Sequence, residues 1–182
     1  MKKKFIKYFL DVASRTAQLS YATRLKVGTV IVKNNRIISC GYNGMPAGWI
    51  PNDCEYPVTI SDDEYQQLPD SEKQRYESNI GFIEQDGYFI FNGKIEWKGL
   101  RTYDELIHSE ANAISQLASS TESGVGASII CTHSPCLQCA KIIYSSGIKE
   151  LYYKNEYRST DGIQFLQKCG VKVYKLGEDY DD

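Results

Sequence analysis

Four residues of this 182-residue chain have the types and spacing to do chemistry together: His108 and Glu110, then Cys136 and Cys139. One imidazole and two thiolates supply three of the four donors that a zinc ion takes. A site with three protein ligands keeps its last position for solvent or substrate. A carboxylate two residues beyond the imidazole can then move protons for a water at that position. Blander readings compete with this one. A Cys-x-x-Cys alone also serves structural zinc and redox dithiols. A structural site needs a fourth protein ligand, and the spare candidates, His133 and Cys131, are poorly phased with the inward direction of their strand. A redox pair leaves His108 and Glu110 without a task. The reading that employs all four residues is an open metal site with its own proton carrier.

Such a site needs elements to position it. Ser134-Pro135 reads as an N-cap followed by proline in the first helical position. Cys136 and Cys139 then lie three apart, on one face of the first turn. The positive end of that helix favours thiolates. His108 has to come from the start of the preceding helix, so two helix starts meet at one edge of a sheet.

The rest of the chain supplies those elements. Phe5, Phe9, Val12 and Ala13 recur at helical spacing, so the first twenty or so residues read as an amphipathic helix. Val27 to Val32 and Arg36 to Cys40 read as a hairpin turning at Lys33-Asn34-Asn35. Helices are expected over His108 to Ala118, Cys136 to Ser145 and Ile163 to Lys168. Strands are expected over Ala127 to Cys131, Leu151 to Tyr153 and Val171 to Lys175. Strands alternating with helices imply an α/β fold with a mixed sheet covered on both faces. Residues 45–101 differ in being polar and tyrosine-rich. They carry a capping-box pattern at Ser61 to Glu64 and a hairpin of Phe89 to Phe91 and Lys94 to Trp97 turning at Asn92-Gly93. We read them as an insertion, at about 45–101, in a single domain spanning 1–182. Its aromatic residues suggest an active-site wall or a subunit contact. The acidic tail Glu178 to Asp182 is expected to fray.

The formal charge of −2 argues against broad binding to nucleic acid backbones, which calls for a basic excess. Lys7 and Asp11 interrupt the apolar stretch after Met1-Lys2-Lys3-Lys4, so no export signal is expected, and no run reaches membrane-spanning length. A cytoplasmic protein is expected, in the host cytoplasm if phage-encoded, and disulfides are not. Cys40, Cys131 and Cys169 are expected to be buried small side chains; Cys54 has no assigned role.

The His-x-Glu…Pro-Cys-x-x-Cys spacing resembles the signature of zinc deaminases that act on cytosine or adenine rings. On that reading Glu110 shuttles protons, the backbone around Thr132 and Ser134 accepts a hydrogen bond from the amino group, and the Ser109 amide binds the ring oxygen. The stretches Gly41 to Gly48, Ile107 to Ile114, Ser134 to Lys141, Ser146 to Lys149 and Glu156-Tyr157 together resemble the deoxycytidylate deaminases, phage-type enzymes above all. The resemblance implies a cytidine-deaminase-like three-layer α/β/α fold, zinc on His108, Cys136 and Cys139, and hydrolytic deamination of dCMP to dUMP and ammonia. It implies Asn43 at the deoxyribose and Tyr157 near the phosphate. It further implies a hexamer activated by dCTP and inhibited by dTTP, with an effector site at Lys26, Gly28, Tyr42, Asn43 and Gly44, and Mg2+ accompanying a triphosphate effector. Turnover of dCTP as well as dCMP, or deamination of nucleic acid bases, is the alternative. The chain departs from the pattern at Ser109, where an alanine is usual, and at Gln116 and Ser119, where phage relatives carry an aromatic residue and an arginine.

Overall fold

The computed structural model describes residues 1–70, 72–73, 88–91 and 94–177. They form two compact units: Met1–Asn52 with Leu106–Asp182, and Asp53–Glu105.

The first unit is built on a five-stranded sheet in the order β2-β1-β6-β7-β8. Strand β1 (Gly28–Lys33) runs antiparallel to β2 (Arg36–Tyr42) and to β6 (Ser128–His133). Strands β7 (Glu150–Asn155) and β8 (Lys172–Lys175) continue in parallel, so the sheet is mixed as expected. Asn34 and Asn35 make the β1–β2 turn with φ of 51° and 58°. This is the paired left-handed geometry that matches a hairpin's twist and that asparagine tolerates. The parallel pairs need crossovers, and helices α4 (Leu137–Ser145) and α5 (Asp161–Lys168) supply them.

Side chains alternate across the sheet, and this alternation creates two cores. Val30, Val32 and Ile130 face helix α1 (Lys3–Ala17), where Ile6, Phe9, Leu10 and Ala13 meet them. Ile31, Ile129 and Cys131 face the other way, onto Ala113 and Leu117 of α3 (Ser109–Ala118), Ala140 and Ile143 of α4 and Leu166 of α5. Three layers result, helix–sheet–helix.

Close approach fixes how α1 lies on the sheet. A Cβ on Gly28 would run into the Ala13 carbonyl oxygen and the Ala17 amide nitrogen. Both obstacles are backbone, so neither can rotate away. Gly28→Ala is therefore expected to destabilise the chain by about 2–3 kcal/mol, read as a lower urea midpoint at unchanged m-value.

The second unit is a three-stranded antiparallel sheet, β3-β5-β4, of β3 (Glu55–Ser61), β4 (Tyr88–Phe91) and β5 (Lys94–Thr102). The expected capping box is present. Ser61 Oγ accepts from the Glu64 amide, Glu64 answers on the Ser61 amide, and helix α2 (Asp62–Gln66) follows. Strand β3 places Tyr56, Val58 and Ile60 at every second position, but Pro57 in the run argues against a strand in sequence. It forms because all seven residues pair with β5, from Glu55 opposite Thr102 to Ser61 opposite Glu96. Several aromatic residues find partners inside this unit: Tyr65 stacks on Trp97, and Tyr56 leans on Tyr103. The Asn92-Gly93 turn and the Glu178 to Asp182 tail lie outside the described residues.

Of the cysteines expected in the interior, Cys131 is buried, Cys169 is half-buried and Cys40 is exposed. Cys40 follows Ser39 on edge strand β2, and Ser39 is the residue turned inward, donating to the Ala113 carbonyl at 2.6 Å. Period-two alternation then turns Cys40 to solvent. Cys54, unassigned from sequence, is buried in the second unit.

Candidate metal and active site

Strand β6 runs into Ser134-Pro135-Cys136, and α4 starts at Leu137. Cys136 itself is the N-cap, two residues later than the Ser134 expected from Ser134-Pro135. The thiol sulfur takes the capping role that a serine oxygen usually fills, accepting from the Cys139 amide at 3.5 Å. His108 is likewise the N-cap of α3. Both helix starts therefore point their free N–H groups and positive ends at one spot.

Three donors converge there. His108 Nδ1 lies 3.6 Å from Cys136 Sγ and 3.4 Å from Cys139 Sγ. The three donor atoms all lie within 4.8 Å of one another. Tetrahedral zinc with ordinary Zn–N and Zn–S bonds has N···S edges of about 3.6 Å, so the donor set fits that ion. Among the described residues no fourth histidine, cysteine or carboxylate joins the group. Cys131 lies 3.4 Å from Thr29 Oγ1, and His133 Nδ1 faces Thr132 Oγ1 at 3.2 Å. The two candidates for a closing ligand are thus engaged elsewhere.

The electrostatics split the two thiols. Cys136 is pulled down to about 3, first by the hydrogen bond from the Cys139 thiol and then by His108. Cys139, which keeps that proton and is buried, is pushed up. His108 is held above its ordinary value by its hydrogen bond to Cys136, with burial and, more weakly, Arg158 pushing the other way. Glu110 is 4% exposed. Burial holds its carboxyl above the usual range, opposed by backbone and Ser109 hydrogen bonds and by His108. A carboxyl poised in this way can take a proton and give it back.

The remaining residues singled out from sequence occupy three places. Ser109 opens α3, where its amide has no intrahelical acceptor, and its side chain is fully buried. Thr132 and Ser134 sit at the end of β6. The Thr132 carbonyl accepts from Asn155 Nδ2, and Ser134 Oγ accepts from the Tyr157 amide at 2.8 Å. Ser134 thereby holds the Tyr157 segment to the end of β6. The third place is a loop cluster. Asn43 Oδ1 accepts from the Val27 amide, and its Nδ2 donates to the Leu25 carbonyl, both at 2.8 Å. These bonds clamp residues 25–28 to residues 42–44, so Lys26, Gly28, Tyr42, Asn43 and Gly44 are contiguous. Gly44 and Ile107 exchange two backbone hydrogen bonds, and Asn112 Nδ2 donates to the Tyr42 carbonyl. This loop is thereby tied to the residue before His108. Gly28 serves packing and donates its amide to Thr132 Oγ1, and Lys26 is exposed.

Two residues here escape sequence reading. Thr29 bonds to Ser109 across 80 positions of sequence, and no local pattern announces such a contact. Arg158 places its guanidinium 5.4 Å from the Tyr157 ring centroid and lies close enough to bias His108. Its one sequence signal is a cation beside Tyr157.

Comparison with known proteins agrees with this geometry. The family described as "Cytidine and deoxycytidylate deaminase zinc-binding region" matches residues 3–155. The deoxycytidylate deaminase of Enterobacteria phage T4 is 34% identical over 178 residues, covering 92% of this chain and 87% of its own. The human deoxycytidylate deaminase is 32% identical over 156 residues, covering 85% of this chain and 67% of its own. Among solved structures, the dCMP deaminase of cyanophage S-TIM5 in complex with dCMP and dUMP superposes with a TM-score of 0.70 at 33% identity, over 97% of this chain and 99% of that one. A family match along five sixths of the sequence, around donors spaced for zinc, makes the chain a member of the cytidine and deoxycytidylate deaminase family.

Proposed function

We propose that the chain hydrolyses dCMP to dUMP and ammonia, with His108, Cys136 and Cys139 holding one zinc ion and Glu110 carrying the protons. The observation that carries this is the convergence of one imidazole and two cysteine sulfurs, with no fourth protein donor among the described residues, beside a buried carboxyl. The relatives' named substrate supports dCMP in particular. Zinc held there supplies a Lewis acid that makes water nucleophilic near neutral pH. Glu110 takes one proton of the attacking water and delivers it to N3 as the oxygen adds to C4. It then carries the second water proton to the amino nitrogen, the C4–N4 bond breaks, and ammonia leaves behind a C4 carbonyl. The Ser109 amide, free of an intrahelical acceptor, holds the ring oxygen, and the carbonyls at the end of β6 orient the amino group.

Phosphate recognition falls to the Tyr157-Arg158 pair. The Tyr157 amide is anchored by Ser134, and Arg158 lies over its ring. Arg158→Ala is expected to raise KM for dCMP at least about ten-fold, the worth of one charge-assisted hydrogen bond. Deoxycytidine, which has no phosphate to lose, stays within about two-fold. The deciding experiment is a steady-state ammonia assay on dCMP, dCTP and deoxycytidine, each with and without added dCTP and dTTP. Preference for dCMP supports the proposal, and a response to the triphosphates supports an effector role for the loop cluster around Asn43. Equal efficiency on the free nucleoside removes phosphate recognition, and no ammonia from any of the three overturns the reaction.

A further inference from the structure

Glu110 has to present its carboxyl in one orientation through two proton transfers, and the fold gives it a dedicated support. Ser109 Oγ donates to Glu110 Oε2 at 3.0 Å. Behind it, Thr29 Oγ1 lies 2.8 Å from Ser109 Oγ and 3.4 Å from Cys131 Sγ. Thr29, Ser109 and Cys131 are all 0% exposed, so no bulk water competes for these partners.

We propose that Ser109 is a positioning residue whose hydroxyl, braced by Thr29, sets the orientation of the Glu110 carboxylate. The proposal rests on the role given to Glu110 above. A serine hydroxyl has one hydrogen to donate. When Ser109 gives it to Glu110, the hydrogen between Ser109 and Thr29 comes from Thr29; when Thr29 gives its own to Cys131 Sγ, Ser109 donates to Thr29 and accepts from a protonated Glu110. The relay reaches back to a side chain rooted in the sheet: Thr29 pairs with Cys131 across the β1–β6 ladder. The carboxylate is therefore tied through two hydroxyls to an interior strand of the sheet, although it sits on the first turn of a helix. A hydroxyl also accepts as readily as it donates, so the contact persists whether Glu110 carries a proton or not. An alanine at position 109 offers none of this; it leaves a buried carboxylate oxygen without its donor.

The test compares Ser109→Ala, Thr29→Val and Thr29→Ser by kinetics, zinc content and crystal structure. Loss of a hydrogen bond to a charged group is worth about ten-fold or more. Ser109→Ala is expected to lower kcat for dCMP by that factor, with KM within about two-fold, zinc retained and the Glu110 carboxyl found in more than one orientation. Thr29→Val keeps the volume and loses the hydroxyl; Thr29→Ser does the reverse. Positioning predicts the greater damage in Thr29→Val and recovery in Thr29→Ser. A packing role predicts the opposite order, and that order overturns the proposal even if Ser109→Ala does not fold. An unchanged Glu110 orientation and unchanged kcat in Ser109→Ala overturn it as well. Wild-type protein inactive on dCMP would instead sink the assigned reaction, and the crystallographic comparison would still decide whether Ser109 orients Glu110.

Discussion

Replacing Glu110 with glutamine is expected to lower kcat for dCMP at least about a thousand-fold while one zinc ion per chain stays bound. General acid–base catalysis by a positioned side chain contributes about 10²–10⁴-fold, and here one side chain handles both proton transfers. Glutamine keeps the shape and can still accept from Ser109 Oγ, so the change isolates proton carriage from packing. Glu110 is not among the three grouped donors, which is why metal content should survive. Zinc quantified by mass spectrometry on the purified variant, beside its turnover, checks both halves. Full activity in Glu110→Gln would falsify the assigned mechanism. Loss of zinc would mean that the carboxylate belongs to the metal's coordination sphere.

The second large effect separates a catalytic from a structural metal. Chelation, or Cys139→Ala, should abolish turnover but leave a folded chain. The core does not depend on the metal: Ile31, Ile129 and Leu151 are fully buried between the sheet and its helices, and Phe9 with Val30 packs on the other face. Small metal-dependent folds differ, because there metal binding is most of the folding free energy. A ligand bound only by the native state still stabilises it by mass action. The zinc-free chain should accordingly melt at a lower temperature with an unchanged far-ultraviolet circular dichroism spectrum at 25 °C. Unfolding at 25 °C on chelation would assign the metal to structure. Restoration of activity by added zinc closes the argument.

Much of this site was legible along the chain because metal chemistry constrains residue type and spacing together. Two cysteines three apart at a helix start can reach one ion, and a histidine two residues before a glutamate can place an acid beside it. The α/β class followed from apolar periodicity switching between two and about 3.6, and the Asn34-Asn35 turn from the φ that asparagine tolerates. Local patterns failed where partners are distant. The helix cap moved to Cys136 because the sulfur faces the Cys139 amide. Strand β3 went unread because Pro57 interrupts its alternation, and pairing of every residue with β5 decides it.

The chain's own residue types, then, determined which atoms can bind metal and move protons, since those properties belong to single side chains at short spacing. Only the tertiary structure decided what surrounds them: that Asn43 spends both ends of its carboxamide on Leu25 and Val27, and that Thr29 stands behind Ser109. Hydrogen bonds are specified by distance and direction in space, and burial in the folded chain removes the water that would otherwise satisfy the same groups. Neither condition is written in the order of residues.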